Sequence, residues 1–282
     1  MDDRDSTALH QVAIVRYGTR QTTRSDVYLN YPLYGQDDTE IGMDYFFWVI
    51  RSADETILVD TGFTRRAGEA RGRTVLVEPA EAFALAGVEP GSRLRIIVTH
   101  GHYDHIGNLA LFPDAELIMS RREFDFWAGP HADKPLFAHS VEEEELAHLR
   151  ASADRGRVTF FDGDIEVAPG IRVVEVGGHT PGQSIVFVDT SEGTVLLASD
   201  AVHYYEECEQ DMLFTSVADL VEMYDSFAYI RGLQTSGAIS SMVSGHDPST
   251  LERFTPVDGP LRGNAAVIGA DPRSPSTAEG ND

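Results

Sequence analysis

Three histidines and an aspartate fall within the six-residue segment His100-Gly-His102-Tyr-Asp104-His105. This segment directly follows residues 94 to 99, a mostly apolar run typical of a strand buried on both faces. Imidazole and carboxylate side chains together suit zinc and similar divalent metals. A tight loop after a strand can aim all four side chains into one pocket. Four ligands are more than one tetrahedral metal with a free position needs, so the segment predicts a site for two metal ions.

Three more candidate ligands stand alone at the ends of other predicted strands. His179 lies in a glycine-rich turn between two predicted strands, Asp200 follows an apolar run, and His246 follows the last predicted strand. On an α/β scaffold, loops at strand ends carry the chemistry. Taken singly, such residues are more often capping or packing residues than ligands. Together with the first segment they complete a set of seven candidate metal ligands: His100, His102, Asp104, His105, His179, Asp200 and His246.

In their order and approximate spacing, these seven residues resemble the metallo-β-lactamase superfamily. The resemblance covers residues 12 to 255 and includes Asp60-Thr61-Gly62 at a predicted strand end. It implies an α/β fold, a four-layer αβ/βα sandwich with a dinuclear site at one edge. It also implies that the seven residues bind two divalent ions, for which zinc is the first candidate. By the resemblance, His100, His102 and His179 hold one ion, Asp104, His105 and His246 hold the other, and Asp200 bridges them.

Within the superfamily the chain looks most like the N-acyl-homoserine lactonase branch. Its length, the stretch Gly-His-Thr-Pro-Gly-Gln-Ser at 178–184 and the Ser-Asp-Ala at 199–201 all fit that branch. One position departs from it, because those lactonases usually carry a tyrosine three residues after the bridging aspartate. Here that position is His203, followed by Tyr204 and Tyr205. Either the role of the tyrosine has moved to Tyr204, or His203 has replaced it, or the substrate differs.

The expected reaction is hydrolysis of a lactone ring, with N-acyl-homoserine lactones (and so quorum quenching) as the first substrate class. Two ions about 3.5–4 Å apart share a water and lower its pKa toward 7. The bridging hydroxide then attacks the carbonyl, and a metal supported by Tyr204 or His203 stabilises the tetrahedral intermediate. Asp200 or a metal-bound water passes a proton to the leaving alkoxide. The catalytic candidates are Asp104, Asp200, His203 and Tyr204.

Other functions use the same ligands and stay open from the sequence. A thioesterase of the glyoxalase II kind, a β-lactamase, or a hydrolase of another cyclic ester or amide would keep this spacing. A nucleic-acid phosphodiesterase is disfavoured, because no cluster of lysine and arginine lies near the ligands. A redox di-iron site would be expected to shift the histidine set toward carboxylates. A decayed, non-enzymatic metal-binding module would not be expected to keep all seven ligands.

The charge and composition limit the partners. The chain of 282 residues has 22 basic and 46 acidic residues and a net charge of −24. This argues against binding nucleic acid or anionic membranes. No signal peptide or spanning segment is recognised, so the expectation is a cytoplasmic protein. The single cysteine, Cys208, lies among glutamates, and we expect it to be inert.

Strand and helix patterns predict one hydrolase domain over residues 1–264 and a disordered tail over 265–282. Residues 1 to about 11 are expected to be a loose arm. There are two aromatic stretches, Tyr28–Tyr34 and Phe124–Trp127. They are expected either to line a substrate pocket, or to cover the sandwich, or to form a homodimer contact. Asp60 either orients a histidine ligand or closes a turn.

Overall fold

The computed structural model describes residues 9–273. The strands within this range are β1 (Gln11–Thr23), β2 (Glu40–Arg51), β3 (Thr56–Val59), β4 (Thr74–Val75), β5 (Arg95–Val98), β6 (Glu116–Ser120), β7 (Val158–Phe161), β8 (Asp164–Ala168), β9 (Ile171–Glu175), β10 (Ser184–Thr190), β11 (Gly193–Ser199), β12 (Ser241–Ser244), β13 (Thr255–Pro256) and β14 (Ala265–Ile268). The helices are α1 (Arg24–Val27), α2 (Arg65–Ala70), α3 (Pro79–Leu85), α4 (Tyr103–Ile106), α5 (Arg121–Trp127), α6 (Pro135–Ala138), α7 (Glu143–Asp154), α8 (Tyr205–Gln210) and α9 (Leu220–Ser236).

Two sheets carry the candidate site. The larger has the order β13-β14-β1-β2-β3-β5-β6-β7, with β4 also paired to β1. The smaller has the order β12-β11-β10-β9-β8. In the larger sheet β5 pairs in parallel with both β3 and β6, so its backbone hydrogen-bonding groups are used on both sides. This interior position explains the apolar run that precedes the histidine-rich segment.

Alternating side chains on the strands make a four-layer sandwich. On β2, Phe46, Trp48 and Ile50 join an apolar cluster shared with the smaller sheet. The intervening Phe47 and Val49 join a second cluster with the helices that cover the larger sheet. A third cluster lies between the smaller sheet and helices α8 and α9. The layers are therefore helices, sheet, sheet, helices, and the predicted αβ/βα sandwich is confirmed.

The predicted start of the disordered tail at residue 265 is wrong. Residues 265–268 form β14, which pairs antiparallel with β1, and Val12 lies opposite Ile268. Ala265, Ala266 and Ile268 are buried, so this run belongs to the core. Residues 274–282, the rest of the predicted tail, lie outside the described residues.

The predicted N-terminal arm ends earlier than expected. Residues 1–8 lie outside the described residues, but His10 is buried and its Nε2 lies 2.9 Å from the carbonyl oxygen of Pro169. Gln11 already belongs to β1. None of the helices in residues 9–273 has the length and apolar character to cross a bilayer.

Candidate metal centre

The seven predicted ligands converge on one place as two groups. Potential ligand atoms of His100, His102, His179 and Asp200 lie within 4.8 Å of one another, and so do those of Asp104, His105 and His246. All seven side chains are buried. Each group combines residues that follow β5 of the larger sheet with residues from the smaller sheet. Both groups therefore depend on the packing of the two sheets.

Asp200 lies between the two groups. Its Oδ2 is 3.3 Å from His179 Nε2 and 3.7 Å from His100 Nε2. Its Oδ1 is 3.3 Å from His105 Nε2 and 3.1 Å from His246 Nε2. His246 Nε2 also lies 3.3 Å from Oδ2, so the one carboxylate contacts both groups. Such a carboxylate can serve two cations at once.

The donor set fits divalent metal ions. His100 Nε2, His105 Nε2 and Asp200 Oδ1 are buried and have no hydrogen-bond partner within the described chain. Such orphaned buried polar atoms are rare in folded proteins unless something else binds them. Burial is the main cause that lowers the pKa of His100 and His179 well below the ordinary value and that of His102 to about 3. These imidazoles are therefore neutral and keep a lone pair for a metal.

Asp60 contacts His105 from the side away from Asp200. Asp60 Oδ2 lies 2.7 Å from His105 Nδ1, and Asp60 also accepts hydrogen bonds from the amide and hydroxyl of Thr99. Burial opposes a charge on His105, but Asp200, Asp60 and Asp104 outweigh it and hold its pKa well above the ordinary value. Asp60 has a φ of 58°, so the strand end turns sharply. Of the two predicted roles, these contacts favour orientation of a histidine.

The backbone of β2 holds His246. The carbonyl oxygen of Asp44 lies 2.8 Å from His246 Nδ1, and the amide of Asp44 donates to the His246 carbonyl at 2.9 Å. With Nδ1 engaged in this way, Nε2 faces Asp200. The ring also packs edge-on against Tyr45. Sequence reasoning did not single out Asp44, because its contribution is made by backbone atoms.

Glu123 joins two of the ligand loops, and the sequence analysis missed it. Its carboxylate accepts hydrogen bonds from the amides of Gly101 and Gly182, both at 2.8 Å, and from Trp127 Nε1 at 2.7 Å. Gly101 lies between two candidate ligands, and Gly182 lies three residues after His179. Glu123 therefore fixes the loop after β5 relative to the loop between β9 and β10. The neighbouring stretch Phe124–Trp127 is singled out in the sequence for its aromatic residues alone.

His203 belongs to the cluster, whereas Tyr204 points elsewhere. His203 Nε2 lies 3.2 Å from Asp200 Oδ2, and its Nδ1 lies 3.1 Å from the buried carboxylate of Glu207. Burial opposes the charge on His203, but Glu207 and Asp200 outweigh it and raise its pKa to about 9. The hydroxyl of Tyr204 donates instead to the carbonyl of Gly42 at 3.1 Å. His203 thus contacts the candidate metal ligand Asp200 and Tyr204 does not, and neither of the two lines the cavity beside the ligands.

A cavity of about 440 Å³ opens onto the two groups. It is lined by Arg20, Asp26, Met43, Tyr45, Arg71, Arg73, His102, Tyr103, Asp104, His139, Ser140, His179, Asp200, Phe214, Thr215, Ser216 and His246. Neither predicted aromatic stretch lines this cavity. Tyr28 and Tyr31 are buried in the larger core cluster, and Phe126 lines a smaller crevice beside His102. The sequence analysis missed the aromatic residues that do line the cavity, which are Tyr45, Tyr103 and Phe214.

The comparisons with known proteins identify the family. The sequence model of the metallo-beta-lactamase superfamily matches residues 44–212, more than half of the chain. The chain belongs to this superfamily. The predicted membership of this superfamily is therefore confirmed.

Curated relatives are named as hydrolases. The N-acyl homoserine lactonase AiiA of Bacillus thuringiensis subsp. kurstaki is 28% identical over 189 residues, which cover 62% of this chain and 70% of the relative. The probable metallo-hydrolase YflN of Bacillus subtilis is 28% identical over 233 residues, which cover 75% of this chain and 79% of the relative. The prediction that the chain is a hydrolase of this superfamily is supported by these names.

Solved structures share the fold. An N-acyl homoserine lactone hydrolase with the product N-hexanoyl-L-homoserine at its catalytic metal centre gives a TM-score of 0.71 at 21% identity, covering 88% of this chain and 96% of the other. AidC, a dizinc quorum-quenching lactonase, gives a TM-score of 0.69 at 20% identity and covers 94% and 96%. At these identities the likeness concerns the architecture.

Proposed function

We propose that this protein is a dinuclear-metal hydrolase that opens a lactone ring, with N-acyl homoserine lactones as the first class to test. The observation that carries the proposal is the position of Asp200 between two groups of buried imidazole and carboxylate ligands beside a cavity. The curated relatives named as N-acyl homoserine lactonases support the choice of substrate class.

In this proposal His100, His102 and His179 bind one divalent ion, Asp104, His105 and His246 bind the second, and Asp200 contacts both. We propose zinc for both positions, because nitrogen and oxygen donors of this kind suit it. When bound, the two ions supply a nucleophilic hydroxide at neutral pH and polarise the carbonyl of the substrate. Because the hydroxide is the nucleophile in this proposal, the reaction requires no serine or cysteine nucleophile. Burial raises the pKa of the Cys208 thiol to about 12, which leaves it unreactive.

The chain itself orients the groups that react. His203 Nε2 lies 3.2 Å from Asp200 Oδ2, close enough to stabilise its charge, while the Glu207 carboxylate engages His203 Nδ1 at 3.1 Å. In this proposal Asp200 accepts the proton that the attacking hydroxyl group loses and delivers it to the alkoxide that leaves when the ring opens. Met43 and Phe214 on the cavity wall offer apolar surface to an acyl chain and exclude water.

The test combines metal analysis with substrate panels. The zinc-loaded protein is assayed by proton release on homoserine lactones of different acyl lengths, on a thioester and on a chromogenic β-lactam. Two metal ions per chain and a preference for lactones are expected. Preferential thioester or β-lactam hydrolysis would assign the site to one of the rival reactions and would reject the lactone proposal.

Two variants test the second metal position. Asp104→Asn and His246→Ala each remove one donor from the same group, so metal content should fall from two ions per chain to about one, with loss of most turnover. Asp38→Asn, at an exposed loop position, is the control and should keep both. Full activity with a single ion bound in either site variant would contradict the two-metal mechanism.

A further inference from the structure

Three arginines line the cavity beside the candidate metal centre, although the chain as a whole is strongly acidic. They are Arg20, Arg71 and Arg73. Apart from the candidate ligands, the acidic side chain among the lining residues is that of Asp26, which is exposed. The three arginines match in number the three aspartates of the lining, two of which, Asp104 and Asp200, are candidate metal ligands. Metal ions bound by those two carboxylates would leave the arginines in excess.

Arg71 is already neutralised within the fold. Its Nη1 lies 2.6 Å from Glu142 Oε1, and its two terminal nitrogens also donate to backbone carbonyls. Its guanidinium stacks over the ring of Tyr103 at 4.3 Å. Arg71 is thus a structural cation that ties the segment after α2 to the start of α7.

Arg20 has no such partner. Its Nε is buried and lacks a hydrogen-bond acceptor within residues 9–273, and none of the ion pairs in that part of the chain includes it. A buried guanidinium nitrogen without an acceptor carries a large desolvation cost. Within residues 9–273 the chain therefore supplies no acceptor for this nitrogen.

Arg73 lies next to Arg20 across the sheet. Thr19 of β1 pairs with Thr74 of β4, so the next position in the same register sets Arg20 opposite Arg73. Arg73 Nε donates to the hydroxyl of Tyr103 at 3.1 Å, and no salt bridge within the described residues includes Arg73. Burial lowers the pKa of Arg73, but Tyr45, Tyr103 and the carboxylate of Asp104 outweigh it and raise that pKa. Both arginines line the cavity, where one anion can contact the two guanidinium groups.

We propose that Arg20 and Arg73 bind a carboxylate carried by the acyl group of the substrate. Guanidinium groups match the planar geometry of carboxylates and form charge-assisted hydrogen bonds with them. The inference rests on the proposed lactone-opening function and narrows the range of its substrates. The preferred substrates are then lactones whose acyl group ends in a negative charge.

The test measures binding separately from turnover. Two lactams of equal acyl length replace the hydrolysable ring: N-glutaryl-homoserine lactam and a neutral analogue in which an isopropyl group replaces the carboxylate. Calorimetric titration of the zinc-loaded full-length protein should show at least about tenfold tighter binding of the carboxylated lactam, the effect of one charge-assisted hydrogen bond. Arg20→Met should abolish most of this preference, whereas Arg20→Lys should retain part of it.

A matched control separates a specific contact from a general charge effect. Arg66 is exposed and lies outside this cavity, so Arg66→Met should leave the preference unchanged. Equal affinity for the two lactams in the native protein, or an unchanged preference in Arg20→Met, would overturn the inference. The corresponding pair of lactones is assayed for ring opening in parallel. Absence of ring opening with both metals bound would reject the proposed function, while the lactam affinities would still decide the role of Arg20.

Discussion

Asp60 Oδ2 lies 2.7 Å from Nδ1 of His105, and both side chains are almost completely buried. The contact keeps the proton on Nδ1, so that Nε2 is left to face Asp200. Partners of this kind set the tautomer and the orientation of metal-ligating histidines.

Asp60→Asn should therefore weaken metal binding at the group that contains His105. Loss of the charged acceptor is expected to lower the affinity for one of the two ions by about 10- to 100-fold. Competition with a chromophoric chelator measures this, with Asp38→Asn as the control. Two ions held with native affinity in Asp60→Asn would show that Asp60 only closes the turn.

His203 and Tyr204 can be distinguished by replacing one at a time. Tyr204→Phe removes a hydrogen bond to a backbone carbonyl, so it should cost about 0.5–1.5 kcal/mol of unfolding free energy and leave kcat within about threefold. His203→Gln removes the partner of Asp200 and should lower kcat by at least about tenfold. Steady-state kinetics and urea unfolding are measured for both variants. The reverse pattern would return the substrate-supporting role to Tyr204.

Glu145 predicts a specific dependence of stability on pH. Its side chain is 6% exposed, and both carboxylate oxygens lack partners within the described residues. Burial, reinforced by Glu142 and opposed by Arg71, raises its pKa to about 8. The folded state therefore binds a proton more tightly than the unfolded state, whose carboxyl has the ordinary value. The stabilisation is fully present below that ordinary value and is lost as the pH rises through about 8.

Glu145→Gln should remove this dependence and make the protein more stable than the native chain at pH values above 8, by about 1–3 kcal/mol. Urea unfolding at mildly acidic and alkaline pH measures the effect. Glu144→Gln is the matched control, because the neighbouring side chain is 85% exposed and should change little. Identical pH profiles for the native protein and Glu145→Gln would contradict the assignment.

Two glycines should respond to alanine in opposite directions. A Cβ at Gly182 would lie 2.3 Å from the amide nitrogen of Glu123, so Gly182→Ala must displace backbone and should cost at least about 1–3 kcal/mol. Gly232 lies within α9, and a Cβ added there would meet no heavy atom outside its own helix within 4 Å, so Gly232→Ala should stabilise by about 0.5–1 kcal/mol. Thermal unfolding of both variants checks the two signs. A neutral Gly182→Ala would mean that the loop at Gly182 is not tightly packed against α5.

The strand ends and the histidine-rich segment could be predicted from sequence because their signals are local. The apolar run over residues 94 to 99, predicted to be a buried strand before His100, contains β5. Residue type and spacing within a few positions were sufficient for these elements. The predicted start of the tail is wrong for the opposite reason, because the signal there is not local. The residues after 268 are rich in proline and polar residues, and the short strand before them is stabilised by its pairing with β1 and β13, which lie far away in sequence or in a separate segment.

Glu123, Glu207 and Arg20 could not be found in the same way. Glu123 acts on Gly182, which is 59 residues away in the chain, and Arg20 meets Arg73 only through strand register. Glu207 gains its role because three backbone amides and His203 surround it. These contacts depend on tertiary packing, which no short motif encodes.

Thr99 Oγ1 lies 2.8 Å from Ser199 Oγ, where β5 of one sheet meets β11 of the other. Each group of candidate ligands includes residues from both sides of this contact between the sheets. Cations that bind there would stabilise the packing of the two sheets, because each group of ligands is complete only when the sheets are packed together. Resistance to proteolysis should then rise and fall with metal content, and stripping the ions with a chelator should loosen the sandwich before its strands melt.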